Sequence, residues 1–373
     1  MSAGTGRGPV GIALIGAGVI SKQYLENLTR FPDVRVHAVT DVFEQVAEER
    51  AKEFGIESYG GVDVALEHPE VEIVVNLTIP AAHVAVAEQA VAAGKHVWSE
   101  KPFSLDRESG IGLLKAADQA GLRLGCAPDT FLGPGLQTAL RMIQRGDIGQ
   151  PLTALTLMQS PGPESWHPNP AFLFQYGAGP LFDIGPYYLT ALIQAFGSIS
   201  RVAAIGSRSR NQRVIGSGPK AGEVFDVEVP THMGALMQFA SGESAQSIFS
   251  FDSPRPRTGF LEITGTEATI ALPDPNNFDG EIRIARTGVQ EWTSVPCEGP
   301  VTGRGVGTLD MARSIRAGVP HRATGEQAFH VVDSMVSIAE SAERGEFVDV
   351  LSTAPTTSPL PADWNPFGST LGG

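Results

Sequence analysis

The chain is predicted to be α/β, a doubly wound parallel sheet followed by an α+β domain built on a large, mainly antiparallel, open-faced sheet. Three observations carry this. Over roughly the first 125 residues, apolar runs alternate with helical segments, the pattern of a parallel sheet covered by helices on both faces. From Pro128 onward proline and glycine become denser, and the apolar runs are extended and joined by short turns such as Ala240-Ser241-Gly242. A length of 373 residues also exceeds what one core usually serves. The expected divisions are 1–127, 128–352 and a tail, 353–373, rich in Pro, Ser and Thr, in which Trp364 and Phe367 are available as anchors.

Residues 10–15 form a continuous apolar run, as in a central strand buried on both faces. There follows Gly16-Ala17-Gly18-Val19-Ile20-Ser21, leading into a helix that ends near Arg30. The first glycine permits a tight turn and the second lets the backbone approach a pyrophosphate; the helix N-terminus around Val19 and Ile20 supplies amide donors. The third small position is Ser21 rather than glycine.

The next strand, 34–40, ends in Asp41, twenty-three residues beyond Gly18. A carboxylate there accepts hydrogen bonds from the adenosine ribose and repels a 2′-phosphate, which favours NAD over NADP. The same residue type also suits a helix N-cap. A helix over 47–54, a short helix over 63–67 and a strand over 72–77 follow. Thr78, Ile79 and Pro80 then lie at a strand's carboxyl end, beside the expected cofactor. His83 opens the alanine-rich helix 82–93, as a cofactor-side residue or as a structural cap, and Gly94 closes it.

The strand His96-Val97-Trp98 runs into Ser99-Glu100-Lys101-Pro102, which places Glu100 and Lys101 at the same edge. An isolated Lys-Pro in such a loop is usually a solvated lysine; the motifs around this one point to chemistry. A helix over 105–120 and a strand over 122–126 complete the alternation.

In the second domain strands are expected at 152–158, 201–205, 224–229, 234–239, 245–251, 259–265, 268–272 and 281–285, with closing helices at 309–317 and 326–344. A sheet with helices on one face leaves the other face open, so a homodimer or homotetramer through that face is predicted. The run from Gly177 to Leu189 begins a helix near Leu181, since Pro186 belongs in its first turn or so. Asp183 and Tyr187 are then i and i+4 on one face, either as partners of a polyhydroxylated substrate or as a capping acid and a packing phenol.

A net charge of −14 argues against a nucleic-acid footprint. No apolar run reaches membrane-spanning length. Arg7 and the apolar stretch 10–20 resemble a short signal peptide but read better as strand and turn. Cys126 and Cys297 lie far apart in no metal-ligand spacing, so no zinc site is expected and a reducing cytoplasm fits. His232, His321 and His330 read as structural.

The combination of Gly16-Ala17-Gly18, Asp41, Glu100-Lys101-Pro102 and the glycine-rich run into Asp183-Ile184-Gly185 resembles the glucose-fructose oxidoreductase, inositol dehydrogenase and MocA family, over roughly residues 9–350. The resemblance implies an N-terminal Rossmann domain, a C-terminal α/β domain whose open sheet is used in dimers or tetramers, and oxidation or reduction at a sugar or polyol carbon. It also implies that Lys101 is the catalytic lysine and that Asp183 partners it or the substrate. Many members carry a histidine four residues after that aspartate. Here the position is Tyr187, as in branches like glucose-fructose oxidoreductase and the dimeric dihydrodiol dehydrogenases, so Lys101 or Tyr187 takes the proton.

Further substrate-lining candidates are Asp129, Thr130, Trp166 and His167; the indole suits stacking on a sugar ring. The expected activity is an NAD-dependent dehydrogenase acting on a ring hydroxyl of a sugar, glycoside or polyol. Two alternatives use the same motifs: an NAD-dependent glycosidase with transient oxidation, and a non-catalytic dinucleotide sensor.

Overall fold

A computed structural model of the protein describes residues 7–354 and 356–372. They form two compact units. The first is the chain up to Pro134 together with Glu298–Phe329 and the chain from Thr357 onward; the second is Gly135–Cys297 with His330–Thr356. Residues 298–329 and most of the tail therefore belong with the first unit.

In the first unit the chain runs β1 (Val10–Ile15), α1 (Val19–Leu28), β2 (Val34–Thr40), α2 (Glu44–Phe54), β3 (Ser58–Gly60), α3 (Val62–Leu66), β4 (Ile73–Asn76), α4 (His83–Ala92), β5 (His96–Ser99), α5 (Arg107–Ala120) and β6 (Leu124–Cys126). The six strands are parallel in the order β3-β2-β1-β4-β5-β6. The order reverses between β1 and β4, and the crevice at their carboxyl ends is where such a sheet receives ligands. Every residue of β1 and β4 is buried, as their unbroken apolar runs require.

The tail is held rather than loose. The Asp33 carboxylate accepts from Thr370 N, Thr370 Oγ1 and Leu371 N, and Arg313 donates to Asp33 and to the Asn365 and Gly368 carbonyls while lying over the Trp364 ring. Phe367 packs against Phe31, so both expected anchors are used.

The second unit opens with α6 (Pro134–Arg145), β7 (Pro151–Gln159), α7 (Gly179–Phe196) and β8 (Ile199–Ser207). A ribbon of β9 (Gln212–Val214) and β10 (Val224–Asp226) follows, then β11 (His232–Phe239), β12 (Ser244–Ser250), β13 (Arg257–Gly265), β14 (Ala268–Ala271), β15 (Ile282–Arg286) and β16 (Thr293–Val295). The chain passes back through the first unit as α8 (Val306–Ala317) before α9 (Gly325–Arg344) and β17 (Val348–Asp349). The nine-stranded sheet has the order β16-β15-β14-β13-β7-β12-β11-β8-β17; only β7 and β12 pair in parallel.

Its strands alternate. On β11, Met233, Ala235, Met237 and Phe239 are buried, whereas Leu236 between them is 52% exposed. The registers place Phe260, Leu157, Ile248, Gly234 and Ile205 in one row across the open face, and Glu262, Leu155, Gln246, Leu236 and Ala203 in the next.

Two local expectations are corrected. Helix α6 lies in a stretch where no helix was expected; its first residue is proline, which is well suited to the first helical turn. Helix α7 begins at Gly179 rather than Leu181, and Pro186 lies in its interior. Proline there removes the amide that would bond the Phe182 carbonyl, a loss that the buried apolar body of the helix tolerates.

Candidate active site

The carboxyl edge of the parallel sheet gathers the first group of residues. Gly16 ends β1 with φ of 105°, and a Cβ there would stand 2.6 Å from the Leu77 carbonyl oxygen, so only glycine fits. A Cβ on Gly18 would meet nothing within 4 Å, and no side chain caps the helix that Gly18 opens. Ser21 is buried and donates to the Gly18 carbonyl at 2.6 Å; it serves the close helix packing of a third glycine.

Asp41 faces the same turn. Its Oδ2 accepts from Ala17 N at 2.8 Å and its Oδ1 from Phe43 N at 2.9 Å, so the carboxylate orders the glycine turn and the turn after β2. Asp41 is not the N-cap of α2: Phe43 holds that position, and no side chain caps that helix. Val19, Val42, Phe43 and Ile79 present exposed apolar side chains around this edge. Val42 and Phe43 are additions to the sequence-based set; two consecutive apolar residues just after the acid were the available signal. An open space before uncapped amides, a carboxylate beside it and apolar walls fit a dinucleotide.

Asn76, at the end of β4, ties the neighbouring segments together. Its Nδ2 donates to the His83 carbonyl at 2.9 Å and to Ser99 Oγ at 3.3 Å, and its Oδ1 accepts from Thr78 Oγ1 at 2.7 Å and Thr78 N at 3.3 Å. His83 is 1% exposed, and its ring nitrogens lie 2.8 Å from the Pro102 carbonyl oxygen and 3.0 Å from that of Thr78. The ring thus lies in the interior, where it braces the edge rather than facing a ligand.

At the end of β5, Glu100 is buried. Its Oε2 accepts from Lys101 N at 3.1 Å, and its Oε1 accepts from Tyr24 Oη at 2.9 Å and lies 3.6 Å from Arg304 Nη1. Trp98 Nε1 donates to Tyr24 Oη at 3.2 Å. Burial and the negative charge of Glu100 push the Tyr24 phenol up, which keeps it a proton donor. Burial likewise pushes the Cys126 thiol up, which favours its neutral form. Lys101, half-buried, joins Pro102 through a cis peptide bond.

Asp129 and Thr130, expected to line a substrate site, are interior residues instead. Asp129 Oδ2 accepts from Gly305 N at 2.9 Å and Gly307 N at 3.2 Å, holding the entry to α8. Burial pushes its carboxyl up to about 6, against the opposing pull of Arg304. Arg304, flanked by Gly303 and Gly305, escaped the sequence reading because its partners lie some two hundred residues earlier.

In the second unit Asp183 and Tyr187 fall one turn apart on α7, Asp183 partly exposed and Tyr187 buried. Trp166 is exposed on the preceding loop, with the His167 ring edge-on at 5.5 Å and Phe172 beyond it at 5.5 Å. The loop is anchored by buried Arg213, which binds the Glu164 and Asp252 carboxylates, donates to the Pro161 and Phe251 carbonyls and lies over the Phe174 ring. Among the described residues no group of acids, histidines or cysteines is arranged to hold a metal ion, and no helix is long and apolar enough to cross a membrane.

Residues 10–127 match the model of an oxidoreductase family described as an NAD-binding Rossmann fold, and residues 136–271 match the GFO/IDH/MocA C-terminal domain. The chain belongs to the GFO/IDH/MocA oxidoreductase family. Its N-terminal sheet is thus an NAD-binding Rossmann domain of that family. An uncharacterized oxidoreductase of Rhizobium meliloti is 28% identical over 314 residues, 80% of this chain and 86% of the relative. The scyllo-inositol 2-dehydrogenase (NAD(+)) of Bacillus subtilis is 24% identical, over 70% of this chain and 72% of the relative. A solved levoglucosan dehydrogenase, in complex with NADH and L-sorbose, superposes with a TM-score of 0.79 at 22% identity, covering 92% of this chain and 99% of that one. That likeness shows the shared fold.

Proposed function

We propose that this GFO/IDH/MocA oxidoreductase is a dehydrogenase that moves a hydride between a ring hydroxyl carbon of a sugar, glycoside or polyol and NAD. The observation that carries the reading is that Lys101 follows β5 at the same carboxyl edge as Gly16, Gly18 and Asp41, its own amide donating to Glu100. Relatives named as inositol dehydrogenases support the substrate class. When bound, NAD accepts the hydride at its nicotinamide ring. Gly16, Gly18, Val19 and Ile20 would hold the pyrophosphate; Asp41 would take the ribose hydroxyls and discriminate against NADP; Thr78, Ile79 and Pro80 would flank the ring system.

Oxidising a secondary alcohol breaks a C–H and an O–H bond, and the hydroxyl proton needs a base. We assign that role to the Lys101 amine. Asp183 and Tyr187 act as hydrogen-bonding partners of substrate hydroxyls, and Trp166 and His167 as a sugar-facing loop. The open face of the nine-stranded sheet, with Leu155, Ile205, Leu236 and Ile248 pointing outward, is the proposed interface of a homo-oligomer. Two free cysteines suit a reducing cytoplasm.

The test is NADH formation from NAD with a panel of free sugars, glycosides and inositols. Steady NADH from at least one class is the expected result. Sugar release from a glycoside without NADH, or NAD binding with neither, would replace the dehydrogenase reading.

A further inference from the structure

His83 stands between two acceptors that carry no hydrogen. Both of its ring nitrogens are within hydrogen-bonding distance of backbone carbonyl oxygens, Nδ1 at 2.8 Å from Pro102 and Nε2 at 3.0 Å from Thr78. A neutral imidazole donates from one nitrogen only and would aim the lone pair of the other at a carbonyl lone pair. His83 is 1% exposed, so bulk solvent does not reach the ring to relieve that opposition. Protonating both nitrogens turns both contacts into charge-assisted bonds.

The placement runs against the local preference of the helix. His83 is the first residue of α4, where the positive end of the helix dipole disfavours a cation. The ring is therefore not there to stabilise the helix. Its other surroundings are already saturated: Asn76 bonds the His83 carbonyl, Ser99 and Thr78, and Glu100 is turned toward Tyr24, Arg304 and the Lys101 amide. What remains for the imidazole is to join the segment after β4 to the segment after β5.

We propose that His83 is a positioning residue, a doubly protonated imidazole that grips the Thr78 and Pro102 carbonyls and so fixes the backbone carrying Lys101. The titratable groups flanking its second acceptor are Lys101 and Glu100. The clamp acts at both strand ends: Glu100 holds Lys101 from its amide side, and His83 holds it from the carbonyl of the following residue.

The charge state is read in the wild-type protein, without reference to turnover, from imidazole 15N spectra of histidine-labelled protein at about pH 7. Hydrogens on both His83 nitrogens are expected; one bare nitrogen would overturn the clamp. The positioning role, which rests on the dehydrogenase reading above, is tested with His83→Gln, whose single amide nitrogen cannot reach both carbonyls. The expected result is a kcat lowered roughly tenfold with the KM for NAD held within about threefold. An unchanged kcat, or a loss confined to KM, would overturn it. Absence of turnover in the wild type would count against the dehydrogenase reading alone, because the spectra decide the ring's state independently.

Discussion

The two sheets of this molecule solve opposite problems. In the six-stranded sheet β1 and β4 are buried at every residue, so their side chains are committed to packing and function is confined to the strand ends. In the nine-stranded sheet β11 and β12 alternate, so one face makes the core and the other remains available along its whole length. A ligand edge follows from the first design and an open face from the second.

The contrast is broken most sharply by truncating one leucine in each sheet. Leu14→Ala, in the middle of β1 and 0% exposed, is expected to cost about 3 kcal/mol in denaturant unfolding. Leu236→Ala, outward on β11, should stay within about 0.5 kcal/mol under conditions that keep the chain monomeric. Similar losses at both positions would mean that the open face is not open.

Protonation offers a second comparison. His330 Nε2 accepts from Ile199 N at 2.9 Å, and burial holds this histidine down at about 4. His96 Nδ1 accepts from Arg123 N at 2.9 Å, and burial with the nearby Arg123 charge holds it at about 4 as well. Their folded values lie below the ordinary 6.5, so the stability they supply is present above pH 6.5 and lost as pH falls toward 4. For His330 this is roughly 3 kcal/mol. Asp129 works in the other direction: its folded value is raised, so its contribution is present below its ordinary 3.8 and lost as pH rises toward 6. Thermal melts should therefore show acid weakening in the second unit that His330→Gln reduces, since glutamine still accepts from Ile199 N. An unaltered acid slope in that variant would refute the assignment.

The docking face is tested by Ile205→Asp with Leu236→Asp. If the proposed interface forms, light scattering should report a fall to monomer mass with NAD binding retained, because the charges enter an exposed apolar face and leave the Rossmann edge untouched. An unchanged mass would remove the proposed interface. At the other sheet, Asp41→Ser should narrow the preference for NAD over NADP by roughly tenfold, about 1.4 kcal/mol. An undiminished preference would place discrimination elsewhere.

The sequence was most informative where a residue type answers a demand of its own backbone. Gly16 answers its own positive φ, and Asp41 directly follows β2, so order and spacing reveal them. The family resemblance raised Lys101 above an ordinary loop lysine. The partners that hold these residues were not legible. Arg304 reaches Glu100 and Asp129 across long stretches of chain, His83 finds its acceptors in two other segments, and Asp33 gathers a tail more than three hundred residues away. No local pattern encodes such pairings. Asp129 misled for the same reason, since its position after β6 suggested the cleft while its oxygens were committed to the entry of α8.

The most direct measurement is the rate of NADH formation by Lys101→Ala, on whichever substrate class the wild type oxidises, alongside its affinity for NAD. The lysine as proton acceptor predicts a loss of roughly a thousandfold in turnover with NAD affinity within about threefold of wild type. Turnover within tenfold of wild type would contradict that role and move the base to another residue.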